Sequence, residues 1–362
     1  TKMPSPNLKI LGITYLMSMN QDIPCQTRYR QTSTAIFPVG KTAVQEINDS
    51  LLYITHPSRR NLTWGSVPNG CRDQGDLLVA YIESEPDSTI PVASFFADVE
   101  SEAGEEEATY EERTSRIYEA LRLRETSGTD SALSMFALSN IDKGRSQVVF
   151  SARYSLSAIQ DGRSRWLDGA HNVPFVAVPF PVGKGKPADW RSDFKPSPSE
   201  VANSFKLQWL RAGQTSQSVP GVDIARIYTL LLDPNAAGEA SWLMDRYLGL
   251  TEPLLIGLGR FFSGGENLGE SARKEALIAI AVYGLLLLIQ GRNKETYMKS
   301  RDYQLGQFLQ MSDLLHKLYC QNERKGAIPP QLIGNAAIPM ALQSPRRALQ
   351  VLGARIPIYL AW

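Results

Sequence analysis

The stretch "ALSMFALSNIDKGRSQVVFSARYSLSAI", residues 132–159, decides the fold class. Two apolar runs flank Asp142-Lys143-Gly144, a strong turn signal, so the stretch reads as strand, turn, strand. The segment from Leu156 then leads into a short helix. Sheet and helix therefore share the first part of the chain. Upstream, "DLLVAYIES", 76–84, is a compact apolar run with a β-branched and aromatic bias, the pattern of a buried strand. Before it, Val44, Ile47, Leu51 and Leu52 recur at helical spacing over 41–55, and Pro57 ends that helix. Residues 8–20 fit a strand or a loop.

Downstream the pattern changes. Residues 174–198 hold six prolines with Lys184, Lys186 and Lys195 among them, and read as an extended loop. From about 200 the periodicity is helical: "DIARIYTLLLD", "EASWLMDRYLGL", "SARKEALIAIAVYGLLLLIQ", "RDYQLGQFLQMSDLLHKLYCQNERKG" and "SPRRALQVLGARIPIYLAW" follow in turn. Ser344 before Pro345 is a good cap with proline at the first helical position. The expected fold is an α+β N-terminal portion followed by an α-helical bundle. Its expected segments are 1–95 (α+β), 96–130 (an acidic linker or exposed helix), 131–239 (α+β with the Pro-rich loop) and 240–362 (the bundle). The second segment is set by charge: residues 97–125 carry ten acidic and four basic side chains.

The chain of 362 residues is 43% hydrophobic and 21% charged, ordinary for a globular protein, and its net charge of +1 projects no field toward a polyanion. Any nucleic-acid surface must come from local clustering. Cys25, Cys71 and Cys320 lie far apart and form no CxxC pair, which argues against structural zinc and for a reducing compartment. No signal peptide is evident at "TKMPSPNLKI". The longest apolar run, 276–289, has 14 residues, short of the roughly 20 that span a bilayer, and reads as a buried core helix.

Enzymatic signatures are sparse. "IFPVGKT" lacks the first glycine of a phosphate-cradling loop and carries Pro38, so Lys41 and Thr42 read as the start of a helix whose N–H groups favour a backbone phosphate of a larger polyanion. Only His56, His171 and His316 offer a histidine base, and no GxSxG elbow surrounds a serine. Asp73 and Asp76 read as loop acids, and Glu105-Glu106-Glu107 as an exposed cluster. "GLGRFFSGGENLG", 257–269, is glycine-rich but lies between helices, so it reads as an interhelical loop. No catalytic residue, cofactor or metal site is expected.

Cations do cluster. Arg28, Arg30, Lys41, Arg59 and Arg60 flank the helix at 41–55. Residues 301–362 carry seven Lys/Arg against three Asp/Glu, and Arg292 and Lys294 precede them. With Tyr297, Tyr303 and Tyr319 this is the composition of a surface that tracks phosphates and stacks bases. The competing reading is a solvated surface.

The order of these motifs carries a resemblance. "FPVGKTAVQEINDSLLYIT" and "PSRRNLTWG" precede the strand "DLLVAYIE" and an acidic stretch. "SMFALSNIDKGRSQVVFSARYS", "RDYQLGQFLQMSDLLHKLY" and "IPPQLIGNAAIPMALQSPRRALQVL" follow. This resembles the large subunit of type I CRISPR interference complexes (Cascade), most like the Csd family of type I-C. Residues 138–150, 305–318 and 334–352 are the segments most similar to that family's patterns. The resemblance covers most of the chain and rests on diffuse patterns, not on a catalytic string. Thr1 falls where the family's middle begins, so the N-terminal part that contributes to protospacer-adjacent-motif recognition is expected to be missing or supplied by a partner.

The resemblance implies a non-catalytic, cytoplasmic DNA-binding subunit without cofactor or membrane. It would sit beside crRNA-bound backbone subunits, contact target DNA at the protospacer-adjacent duplex and the displaced strand, and present a surface to the helicase-nuclease. The bundle would resemble the small subunit. Base pairing then reads sequence, and the protein needs only cationic grooves and stacking surfaces. Arg28, Arg30, Lys41, Arg59, Arg60, Arg292, Lys294, Lys317, Lys325, Arg346 and Arg347 are the expected nucleic-acid-binding residues. Two alternatives remain: a structural scaffold whose basic residues are ordinary solvated charges, and an enzyme with a site assembled from dispersed carboxylates.

Overall fold

The computed structural model describes residues 2–4, 8, 11, 15–18, 24–30, 39–67, 75–85, 87, 89–96, 109–125, 132–142, 145–182, 187–192, 194–211, 214–262 and 267–361. In chain order the elements are β1 (Lys2–Pro4), β2 (Tyr15–Ser18), α1 (Pro24–Tyr29), α2 (Lys41–Ile54), β3 (Trp64–Val67), β4 (Asp76–Ile82), α3 (Tyr110–Glu125), β5 (Leu133–Asp142), β6 (Arg145–Tyr154) and α4 (Leu156–Ala170). Then come β7 (Val178–Phe180), β8 (Asp189–Arg191), α5 (Pro198–Ser204), β9 (Leu207–Arg211), β10 (Gln214–Ser218), α6 (Ile224–Leu232), α7 (Ala237–Phe262), α8 (Glu270–Ile289), α9 (Lys294–Tyr297), α10 (Arg301–Glu323), α11 (Ile333–Gln343) and α12 (Pro345–Leu360). A region of mixed strands and helices thus precedes a run of seven helices, α6 to α12. The hairpin expected over 132–159 is β5 and β6, with α4 after it. The residues of its turn, Lys143 and Gly144, lie outside the described set.

Two compact units divide the chain. The first comprises Thr1–Ser164, Lys195–Asn203 and Pro220–Pro234. Its centre is a four-stranded antiparallel sheet in the order β3-β4-β5-β6. This sheet pairs residues from before the acidic stretch with residues from after it, because Leu77 lies opposite Leu138 and Val79 opposite Phe136. Strand β4 is buried on both faces, which explains its unbroken apolar sequence. One face, with Trp64, Leu77, Val79 and Leu138, is covered by Leu51 and Ile54 of α2. On the other face Leu78 aligns through Ala137 with Phe150, whose ring lies 5.0 Å from Tyr228 of α6. Each such buried side chain contributes about 1.5–3 kcal/mol. Within the acidic stretch, α3 buries Tyr110, Thr114, Ile117 and Leu121 at helical spacing and turns its charges outward. Glu105-Glu106-Glu107 lie outside the described residues, as do Cys71 and Asp73.

The second unit comprises Arg165–Phe194, Ser204–Val219 and Asn235–Trp362. The Pro-rich stretch includes the short antiparallel pair β7-β8; Lys184 and Lys186 lie outside the described residues. Helix α8 takes up the long apolar run, with Ala276, Leu277, Ile278, Ala279, Ala281, Val282, Leu285 and Leu286 buried. It passes close to the last turn of α4, where a Cβ on Gly284 would sit 2.5 Å from the Gly169 carbonyl oxygen. Helix α7 continues through Pro253 to Phe262, so residues 257–262 extend a helix where a loop is expected. Helices α10, α11 and α12 enclose Leu309, Ile333, Ala337, Ala341, Ala348 and Leu352. No helix among the described residues is long and apolar enough to cross a membrane.

Candidate nucleic-acid interface

The expected cations fall in three places. In the first unit, Lys41 opens α2, whose N-cap Gly40 provides no side-chain bond. Lys41 is exposed. Arg59 and Arg60 lie beyond the other end of the same helix. Fourteen residues separate the ends, a span of about 21 Å, or about six base-pair steps of duplex. The chain turns after α2 because Thr55 bonds back to Leu51 and the His56 ring nitrogen accepts from the Ser58 amide at 3.3 Å. The Thr63 hydroxyl and the Trp64 indole then donate to the carbonyls of Ile54 and His56 at 2.6 and 2.8 Å.

That turn gives the two arginines different surroundings. Arg59 pairs with Asp87, donates to the Tyr53 hydroxyl at 2.9 Å and stacks 4.4 Å from the Tyr53 ring. Its side chain is only 15% exposed. Arg60 is exposed, with its guanidinium 6.0 Å from the Trp64 ring. Arg28 lies in the last turn of α1 and Arg30 just after it, both exposed, Arg30 in the left-handed region at φ 51°.

In the second unit, Arg292 and Lys294 are held by a buried asparagine. The Asn172 amide donates to the carbonyls of Gly284 and Arg292 at 3.2 and 2.9 Å, and its oxygen accepts from the Lys294 amide at 2.6 Å. The Tyr297 hydroxyl donates to the Asn172 carbonyl at 2.8 Å. Gly291, at φ 75°, supplies the left-handed step that ends α8 and lets this loop form. The Arg292 side chain is exposed, and the Lys294 ammonium donates to the His171 carbonyl at 3.3 Å. The sequence drew attention to His171 and not to its neighbour. A lone asparagine carries no pattern, and only burial reveals Asn172 as the anchor.

The third group rides on the last three helices. Lys317 is half-buried on α10. Lys325 is exposed just past its end, where Lys325 and Gly326 both have positive φ. Arg346 and Arg347 are exposed in the first turn of α12, behind Pro345. Cations there oppose the helix dipole, so this end trades helix stability for concentrated positive charge.

What sets the position of these helices is a buried carboxylate. Asp313 accepts from the Gly334 amide at 2.7 Å and from the Asn335 amide at 3.0 Å, capping α11 from a neighbouring helix. Leu332, the residue at the cap position itself, has no side-chain oxygen to do so. Burial raises the Asp313 pKa above the ordinary carboxylate value, and the two amides only partly counter that. Burial, followed by the nearby Arg324, lowers the His316 pKa. Its ring lies 4.5 Å from Tyr359.

The tyrosines expected as stacking platforms have protein partners. Tyr297 and Tyr303 meet edge to face at 6.2 Å, and Tyr319 meets Tyr359 at 5.2 Å. Among the described residues no group of three or more His, Cys, Asp or Glu is placed to hold a metal ion. Cys320 is buried with a free thiol. Compared with known proteins, the chain matches no family model and no curated protein.

Proposed function

We propose that this chain is a non-catalytic, cytoplasmic, nucleic-acid-contacting subunit of a CRISPR surveillance complex. In that reading it sits beside crRNA-bound backbone subunits, holds target DNA at the protospacer-adjacent duplex and the displaced strand, stabilises the R-loop and helps recruit the helicase-nuclease. The observation that supports it most is the exposed pair Arg346–Arg347 at the start of α12. Two fork-shaped cations side by side form a phosphate grip that works without reading bases. The sequence resemblance assigns this helical part the displaced strand.

The test is a DNA titration of the assembled complex at several salt concentrations. Binding should weaken with salt at a log–log slope of about −0.9 per duplex phosphate contacted. Replacing Arg346 and Arg347 with alanine should reduce the slope by about one unit per lost contact and weaken all sequences alike. A flat salt response would overturn the reading. A scaffold role without nucleic-acid contact is the second reading. It is favoured by Arg59, which is committed to Asp87 and Tyr53, and by tyrosines stacked on protein partners.

A further inference from the structure

Helix α12 is held unevenly along its length. Its first half carries Ala348 and Leu352, both fully buried in the cluster shared with α10 and α11. Beyond Leu352 the helix has no fully buried residue. Gly353 is a poor helix former, and Pro357 has no N–H to give the Gly353 carbonyl. Ile356 and Tyr359, both half-buried, hold residues 353–360 to the cluster.

Tyr359 rests on a histidine. The His316 ring of α10, only 6% exposed, lies 4.5 Å from it at a tilt of 38°. Tyr319 meets the same tyrosine edge to face at 5.2 Å, and the Arg324 guanidinium lies 5.8 Å from the Tyr319 ring. His316 Nδ1 is buried and has no hydrogen-bond partner among the described residues. A neutral imidazole can leave that nitrogen bare. Protonation puts a hydrogen on it, and a buried donor without an acceptor is costly.

The groups around the ring do not favour a cation. Helix α11 has no ionisable side chain. Helix α12 brings Tyr359 and the exposed Arg346, Arg347 and Arg355. On α10, Asp313 stands three residues earlier, but its carboxylate accepts from the amides of Gly334 and Asn335. Cys320 is buried, Lys317 half-buried and Glu323 exposed. The face of Tyr359 offers an imidazolium only a modest attraction. Burial, then Arg324, lowers the His316 pKa, in agreement with this geometry.

We propose that residues 353–360 are a strap that opens in acid. Protonated His316 gives up its place against Tyr359, and the part of α12 beyond Leu352 leaves α10 while Ala348 and Leu352 stay packed. Opening uncovers the Tyr319 ring. The folded imidazole resists the proton, so the closed strap is favoured above the ordinary histidine value of 6.5 and loses stability as pH falls below it. Helix α11 stays in place, because the Asp313 carboxyl holds its proton more tightly when folded and its cap contributes most at low pH. The strap needs no contact with DNA.

Hydrogen exchange on the full chain at pH 7.5 and 5.5, read by mass spectrometry and corrected for the intrinsic rate at each pH, follows the opening. Protection over 353–360 should fall about tenfold or more at pH 5.5, while protection over 333–343 should hold. His316→Phe keeps a ring against Tyr359 and takes no proton, so its protection over 353–360 should stay level; His316→Gln is a second neutral variant if the larger ring crowds the site. Tyr359→Ala, outside the fully buried cluster, should leave 353–360 open at both pH values. Level protection in the native chain, an equal fall in the native chain and the neutral variants, or a fall that spreads through 333–343 would overturn the proposal. So would a Tyr359→Ala chain that keeps the native pH dependence.

Discussion

Replacing Asp313 with alanine should loosen α11 without unfolding the rest of the chain. The carboxylate satisfies two buried amide donors, those of Gly334 and Asn335, at 2.7 and 3.0 Å. Each donor left buried and unpaired costs about 1–3 kcal/mol. Against that, the variant no longer buries a carboxyl group whose raised pKa reports an environment unfavourable to its charge. The net penalty is about 3 kcal/mol, and since 1.4 kcal/mol is tenfold, the open population of α11 should rise about a hundredfold. Hydrogen exchange read by mass spectrometry on peptides covering 333–343 measures this directly. Asp313→Asn keeps one oxygen acceptor and should accelerate exchange by only about tenfold. The pH dependence has a defined sign. The folded carboxyl holds its proton more tightly than the unfolded one. Its contribution is therefore greatest below the ordinary carboxylate range and declines as pH rises through the raised value. The difference between the native chain and Asp313→Asn should accordingly be larger near pH 4 than at pH 7. Unchanged exchange over 333–343 in Asp313→Ala would refute the capping role.

The adjacent arginines should separate cleanly in a denaturant titration. Arg59→Ala removes an ion pair and a stacked ring from a side chain that is 15% exposed and should lower stability by about 1–2 kcal/mol, whereas Arg60→Ala should stay within about 0.5 kcal/mol. Equal effects would mean that Asp87 and Tyr53 do not hold Arg59. For His316, the folded imidazole resists protonation, so its contribution is present above the ordinary histidine pKa of 6.5 and is lost as pH falls below it. The denaturation midpoint should therefore drop more between pH 7.5 and 5.5 in the native chain than in His316→Gln, and parallel drops would count against the burial argument.

The sequence by itself determined the elements whose pattern is local. The hairpin at 133–154 declared itself by two apolar runs around a turn, α2 by its 3.6-residue spacing, and β4 and α8 by unbroken apolar stretches that only burial on several sides accommodates. The same local logic marked where cations concentrate. Only the tertiary structure decided which segments share a sheet, because pairing Leu77 with Leu138 depends on contacts across some sixty residues, which no local period records. Tertiary packing also divided cations that look equivalent in sequence. Arg59 turned toward Asp87 while Arg60 stayed exposed, and Lys41 was carried to the far end of its helix. Glycines misled at 257–262, where α7 continues to Phe262, because packing of α7 outweighs the local preference to stop. Asp313 and Asn172 anchor helices and loops through buried hydrogen bonds to residues 21 to 122 positions away. A single polar residue has no pattern of its own, and its role exists only once the fold removes water from around it.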